Sequence, residues 1–255
     1  MDNATLVSIC CETYNHAKYI RQALDGFLSQ KTDFSFEILI HDDASTDGTQ
    51  SIIEEYYTRN PDLFKPIFQT ENQHSKGISI WRKYQFPRAK GKYIALCEGD
   101  DYWTDPLKLQ KQVDFLESRP DYSMCFHNAI LHTETGNEKD RLFADLSSRE
   151  YEMKENIDRW IIATASTVFR RSVLVSAFYK ECQKSSKLIV GDLPLFMSCF
   201  KCGRVYGFSD AMSVYRLHSD GWTQKAYKPT KIAIKLIEQE LELKRIFGGY
   251  FDEIY

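Results

Sequence analysis

Three carboxylates crowd four consecutive positions of this chain, Glu98, Gly99, Asp100 and Asp101, just where an apolar run ends. Like charges that close repel unless water or a cation neutralises them, and hard oxygen donors suit Mg²⁺ or Mn²⁺. The plain alternative is a solvated acidic loop. A divalent ion held by one or two carboxylates completes its shell with substrate phosphate oxygens, so the cluster points to a diphosphate ligand. A second polar stretch, DDASTDGT from Asp42 to Thr49, follows another apolar run. An Asx turn or helix cap needs one acid, and Ser45, Thr46 and Asp47 are further cap candidates, which leaves a carboxylate of Asp42 or Asp43 for a base N–H or a ribose hydroxyl. Thr13, Tyr14 and Asn15 add a small hydroxyl, an aromatic face and an amide, a set able to stack on and hydrogen-bond a nucleobase.

Something must bring these loops together. Leu6 to Cys11 is short, apolar and β-prone, and Ile20, Leu24, Phe27 and Leu28 follow it on a helical period. The unit recurs as a strand over Phe36 to His41 and a helix through Ile52, Ile53, Tyr56 and Tyr57. A third strand is expected at Pro66 to Gln69, a helix over Ser79 to Lys90, and a fourth strand at Tyr93 to Cys97. Strands alternating with helices predict parallel βαβ units, an α/β fold with helices on both faces of an open, mostly parallel sheet. Ligands of such sheets bind beyond the carboxyl ends of the strands, so loops beginning at Glu12, Asp42 and Glu98 should share one crevice.

The second half is less regular. It reads as a helix over Pro106 to Glu117, a strand over Ser123 to His132, a polar loop over Asn137 to Ser148 and a strand over Ile161 to Phe169. A helix over Leu193 to Phe200 follows Asp192, with Pro194 in its first turn, and Val205 to Phe208 and Met212 to Leu217 read as closing strands. From Thr230 to Phe247 a helical tail spaces Ile234, Ile237 and Leu241 on one face, for docking on the core, pairing with another copy or resting on a membrane surface.

The 255 residues are 43% hydrophobic and 27% charged with a net charge of −3, which fits one globular domain and gives no basic footprint for nucleic acid. No stretch is long and apolar enough for a membrane span, and the first residues do not read as a secretory signal. Seven irregularly spaced cysteines suit reduced thiols of a cytoplasm, and the CxxC of Cys199 and Cys202 lacks the second ligand pair of a zinc site. GxGxxG, GxxxxGK[ST], GxSxG and HExxH are all missing, so a nucleotide would need another scaffold.

In VSICCETYNHAKYIRQALDGFLSQ, FEILIHDDASTDGT, the run from Arg82 through GKYIALCEGDDYW, and GDLPLF and YRLH downstream, the chain resembles glycosyltransferase family 2 from about Leu6 to Trp222. The resemblance implies the GT-A fold of nucleotide-diphospho-sugar transferases over about residues 1–225. Residues 1–125 would hold the nucleotide-sugar donor, residues 126–225 the acceptor, and residues 226–255 would form a helical extension. It implies inverting, metal-dependent transfer, with Mn²⁺ or Mg²⁺ as cofactor, from a nucleotide-diphosphate donor, UDP-sugars leading. The acceptor would be a hydroxyl of a saccharide or lipid-linked saccharide in bacterial surface polysaccharide synthesis, at the inner face of the membrane.

Position by position, Asp42 and Asp43 match the acids that hold base and ribose, with Thr13, Tyr14 and Asn15 beside the base and Arg82 facing the nucleotide. Glu98, Asp100 and Asp101 match the DxD-type element, with Glu98 in place of the usual leading Asp. This favours Asp101 for metal and Asp100 for ribose or metal. Asp192 falls where inverting members place the base that deprotonates the acceptor hydroxyl. His218 is a candidate for the metal shell, Arg216 for the diphosphate, and Trp103, Trp160, Trp222 and Thr164 for the acceptor. Two competitors remain: an inactive glycan-binding subunit, which loss of Asp192 or the Asp100–Asp101 pair would have marked, and a nucleotidyltransferase, which would carry a Gly-rich basic loop where this chain has CETYNHAKY.

Overall fold

The computed structural model describes residues 5–134, 138–188, 191–221 and 229–248. Strand β1 (Val7–Thr13) is covered on both faces, so apolar side chains point both ways along it. Val7, Ile9 and Cys11 enter a core shared with α1 (Ile20–Leu28), α2 (Thr49–Arg59) and α3 (Lys108–Ser118). Cys10 enters the opposite core, built with Trp81, Phe86, Tyr179 and the helix residues Leu195 and Phe196.

β1 pairs in parallel with β2 (Phe36–Asp42) and β4 (Tyr93–Leu96), and β2 with β3 (Phe64–Phe68). Beyond β4 the sheet continues through β9 (Val168–Arg170), β6 (Tyr122–Thr133), β10 (Arg204–Leu217) and β5 (Tyr102–Trp103). β7 (Arg141–Leu142) lies on β6 and β8 (Arg149–Tyr151) on β10. β6 and β10 are parallel, whereas the short β9 runs antiparallel to both its neighbours and joins the two parallel parts. Helices α4 (Met153–Arg159), α5 (Ala177–Lys184) and α6 (Asp192–Cys202) belong to the second half. The α/β architecture with helices on both faces is the one the strand–helix alternation implies.

Several boundaries differ from the sequence reading for local reasons. Ser79 to Lys90 is a π-helical turn (Trp81–Gln85) and a 3₁₀ turn (Phe86–Arg88), because Pro87 has no N–H for a continuing α-ladder. Within Ile161 to Phe169 only the last residues join a strand, and Thr164–Ser166 form a 3₁₀ turn. The two closing strands are one strand, β10, with irregularities around Ala211 that preserve its pairing to β6. Gly48, at φ 99°, holds the N-cap position of helix α2, and Asp47 Oδ1 accepts the N–H of Thr49, the first helical residue, at 3.1 Å.

The tail forms α7 (Pro229–Phe247) and docks on the core, but by another face than the spacing implied. Leu243 and Phe247 pack against Met153, Cys182, Leu188 and Met197, while Ile237 and Leu241 are 57% and 63% exposed. Among the described residues no helix is long and apolar enough to cross a membrane.

Lys108 at the start of α3 is fully buried, its Nζ 4.0 Å from the Trp103 ring centre and without a hydrogen-bond partner. Burial drives its pKa down to about 7 against an ordinary 10.5. Between those values the unfolded chain binds the extra proton, so stability should rise with pH across this window. Lys108→Met should flatten that slope and raise stability at pH 7 by about 1–3 kcal/mol, measured by urea unfolding at several pH values.

Candidate active site

Loops at the carboxyl ends of β1 and β2 interlock through a backbone they share. Asp43 N–H donates to the Thr13 carbonyl at 2.9 Å, Asn15 N–H to Ser45 Oγ at 2.8 Å, and Ala17 N–H to Asp47 Oδ2 at 2.9 Å. Asn15 Oδ1 accepts from Thr46 N–H at 2.9 Å. Asn15 and Ala44 take left-handed φ values of 56° and 66° to make these turns. Asp42 is fully buried and accepts from Ser45 N–H, Ser45 Oγ and Gln50 Nε2. Asp43 accepts the N–H groups of Gln73 and His74 at 2.8 and 2.9 Å and keeps a lone pair on each oxygen. Tyr14 is 45% exposed at the rim.

The acidic loop after β4 approaches the first loop through Gly99. Its N–H donates to the Glu12 carbonyl at 2.9 Å, and a Cβ there would lie 2.8 Å from the Thr13 side chain. Asp100 projects between two imidazoles, with Oδ2 3.1 Å from His218 Nε2 and 3.5 Å from His16 Nε2. His218 also packs against Tyr19, ring centres 4.6 Å apart. Burial pushes the Asp100 carboxyl up, but the two imidazoles outweigh it and hold it below the ordinary aspartate value. Glu98 responds the other way. Burial first, then the charges of Asp100 and Asp192, push it up to about 8, and its Oε2 is buried without a partner. Asp101 turns inward, 2% exposed, and its Oδ1 accepts the Arg216 N–H at 2.8 Å.

Across the crevice, Asp192 occupies the first position of α6. Its Oδ2 accepts from Thr164 Oγ1 at 3.2 Å and its Oδ1 from the Leu193 N–H at 2.8 Å. Burial raises its pKa despite both bonds, so this carboxylate is more basic than one in water.

The residues do fit a divalent cation in part. Among the described residues no three His, Cys, Asp or Glu groups form a ready cage. Asp100 and His218 present an oxygen and a nitrogen side by side, and Glu98 keeps a buried oxygen without a partner nearby. That donor set suits an ion that takes its remaining ligands from a phosphate-bearing substrate.

Residues 8–177, well over half of the chain, match the profile of Glycosyl transferase family 2. The chain belongs to that family. An uncharacterized protein of Mycobacterium tuberculosis is 41% identical over 222 residues, 87% of this chain and 61% of its own length, so this chain spans about three fifths of that relative. The Escherichia coli UDP-Glc:alpha-D-GlcNAc-diphosphoundecaprenol beta-1,3-glucosyltransferase WfaP is 36% identical over 113 residues, 44% of this chain and 42% of its own. In fold, the chain is similar to a mannosyltransferase of Pyrobaculum calidifontis solved with GDP-Man and Mn²⁺, at a TM-score of 0.62 and 18% identity, covering 96% of this chain and 69% of that one. The α/β sheet flanked by helices is thus the GT-A fold.

Against this glycosyl transferase family 2 frame, the residues chosen from sequence divide into two groups. Thr13, Tyr14, Asn15, Asp42, Asp43, Glu98, Asp100, Thr164, Asp192 and His218 do line the crevice or brace its loops. Others lie elsewhere. Trp103 is 3% exposed in the core and donates to the Ala165 carbonyl, so it offers no face to a sugar. Asp101, favoured for metal, stays in the acidic loop with its Oδ1 on the Arg216 N–H, while Asp100 faces the imidazoles. Arg216 lies between Tyr19 and Tyr102 and donates to the Asp100 carbonyl, so it braces the acidic loop. Arg82 donates to the Cys182 carbonyl at 3.4 Å. Trp160 ends α4 at a left-handed φ of 49°, partly exposed. Trp222 lies outside the described residues.

Sequence reasoning passed over His16 and Tyr19, which flank Asp100 and His218. His16 and Tyr19 were hidden in and beside a stretch read as generic loop, although a histidine three residues past the strand end was a usable signal.

Proposed function

We propose that this chain is an inverting glycosyltransferase that moves a sugar from a nucleotide diphosphate to a hydroxyl of a saccharide acceptor. The observation that carries this reading is Asp192, a half-buried carboxylate of raised basicity held by Thr164 near the acidic loop of Asp100, against which His218 lies. In it, Tyr14 stacks on the base, and Asp43 accepts from base or ribose with its remaining lone pairs. The diphosphate lies at Asp100 and the sugar between Asp100 and Asp192. Asp192 removes the proton of the acceptor hydroxyl as that oxygen bonds to the anomeric carbon, and the bond from that carbon to the diphosphate breaks on the opposite face. A divalent cation held by Asp100 and His218 would offset the charge that grows on the leaving diphosphate. An acceptor of the lipid-linked saccharide class, for surface polysaccharide synthesis at the cytoplasmic face of a membrane, is supported by the name of the E. coli relative.

The test is a thermal-shift screen against UDP, GDP, CDP and TDP, each with and without Mn²⁺. Ligand binding to the native state alone adds about 2.7 kcal/mol at a hundredfold excess over Kd, enough to read as several degrees. A shift requiring one nucleotide and Mn²⁺ together is expected, and no shift with any pair would contradict the proposal.

A further inference from the structure

Trp160 combines a backbone conformation that strains a bulky residue with a side chain left partly in water. Its φ of 49° is left-handed, a region that suits glycine. Met153, Asn156 and Ile157 line the packed face of α4, and a continued right-handed helix would lay position 160 on that same face. The left-handed turn ends the helix there instead, and Trp160 stays 39% exposed. Asn156, itself buried, fixes the turn twice: its carbonyl accepts the Trp160 N–H at 2.8 Å and its Oδ1 the Ile162 N–H at 3.2 Å. Beyond the turn, Ile161, Ile162 and Ala163 are buried and lead to Thr164, whose hydroxyl meets Asp192. Four residues of chain span at most about 14 Å, so Trp160 is anchored within that distance of the residue that holds Asp192. Strain in a large exposed aromatic this close to the reacting groups is explained by a ligand that uses the indole face.

We infer that the indole of Trp160 is a platform for a pyranose ring of the acceptor, adjoining the ring whose hydroxyl Asp192 deprotonates. The inference rests on the glycosyltransferase reading above and deepens it by naming the acceptor class: an oligosaccharide, with a hexose of the gluco or galacto type at Trp160. Such rings carry C–H groups on one face, which stack on an aromatic plane, and hydroxyls around the edge, which stay in water. Trp160 stands outside the crevice that receives the donor, and an acceptor seated on it reaches in with its terminal sugar.

The test is NMR of the full chain titrated with cellobiose, lactose and N,N′-diacetylchitobiose, with sorbitol as a control that has hydroxyls but no ring. The indole N–H signal lost in Trp160→Phe belongs to Trp160, and it should move saturably with at least one disaccharide and not with sorbitol. Trp160→Gly places in the left-handed turn the residue that tolerates it, so the variant should fold. Read by saturation transfer from protein to sugar, it should bind that disaccharide at least about tenfold more weakly, with nucleotide affinity changed by less than about twofold. Trp160→Phe should fall between the two, because a smaller ring keeps part of the stacking face. A Trp160 signal unmoved by all three sugars, or undiminished binding in Trp160→Gly, would overturn the inference and leave the nucleotide site standing. Loss of nucleotide affinity in Trp160→Gly would also overturn it, since the turn would then serve the fold or the donor. Disaccharide binding at Trp160 in a protein that binds no nucleotide would support the platform and remove the transfer reading.

Discussion

Asp192→Asn should lower sugar transfer by about 10²–10⁴-fold, the usual contribution of a positioned general base, and leave nucleotide affinity nearly unchanged. The amide keeps the shape and the contact with Thr164 but cannot take a proton from the acceptor. Steady-state release of nucleotide diphosphate, with titration of the bare nucleotide as control, separates the two effects. Transfer near the wild-type rate would sink the role of Asp192. Its pH dependence gives a second check. Burial raises the Asp192 pKa, and the base acts only when deprotonated, so kcat/KM should rise with pH through a value above the ordinary aspartate range. The Thr164 hydroxyl stabilises the charged form, so Thr164→Val should move that rising limb to higher pH. A limb that stays put would break the proposed link between them.

Asp100→Asn should remove the dependence of nucleotide binding on Mn²⁺. Where Mn²⁺ tightens binding by about tenfold or more in the wild type, roughly 1.4 kcal/mol, the variant should show no gain. Asp101→Ala should behave differently, because its carboxylate accepts the Arg216 N–H inside the fold. Losing that buried acceptor should cost about 1–3 kcal/mol of stability while the gain from Mn²⁺ persists in the folded protein. The paired titrations and melting curves therefore discriminate the two aspartates. Swapped outcomes would return the metal to Asp101.

The crevice was legible because parallel strands end together and carry their polar residues into one place, so Glu98, Asp42 and Thr13 could be grouped from their spacing. Their division of labour was not. Asp42 and Asp101 differ from Asp43 and Asp100 by one residue each, and only the backbone turn decides which partners each carboxylate meets. Arg216 was read as a phosphate ligand because strand alternation gives a side, not a partner, and Tyr19 and Tyr102 that clasp it come from distant segments. Trp103 shows the same limit, since its core position depends on α1 and α3 meeting around it. On α7 the periodic Ile237 and Leu241 drew attention from Leu243 and Phe247, which face the core because Met153, Cys182 and Met197 lie there.

The most direct test of the account is a time-resolved proton NMR experiment on an α-linked sugar nucleotide of the preferred base, incubated with the protein and Mn²⁺ with water as acceptor. The account predicts that nucleotide diphosphate and β-configured free sugar appear together at early times, before mutarotation mixes the anomers, and that Asp192→Asn yields neither. Early α-configured sugar, or release of nucleoside monophosphate with sugar phosphate, would contradict it.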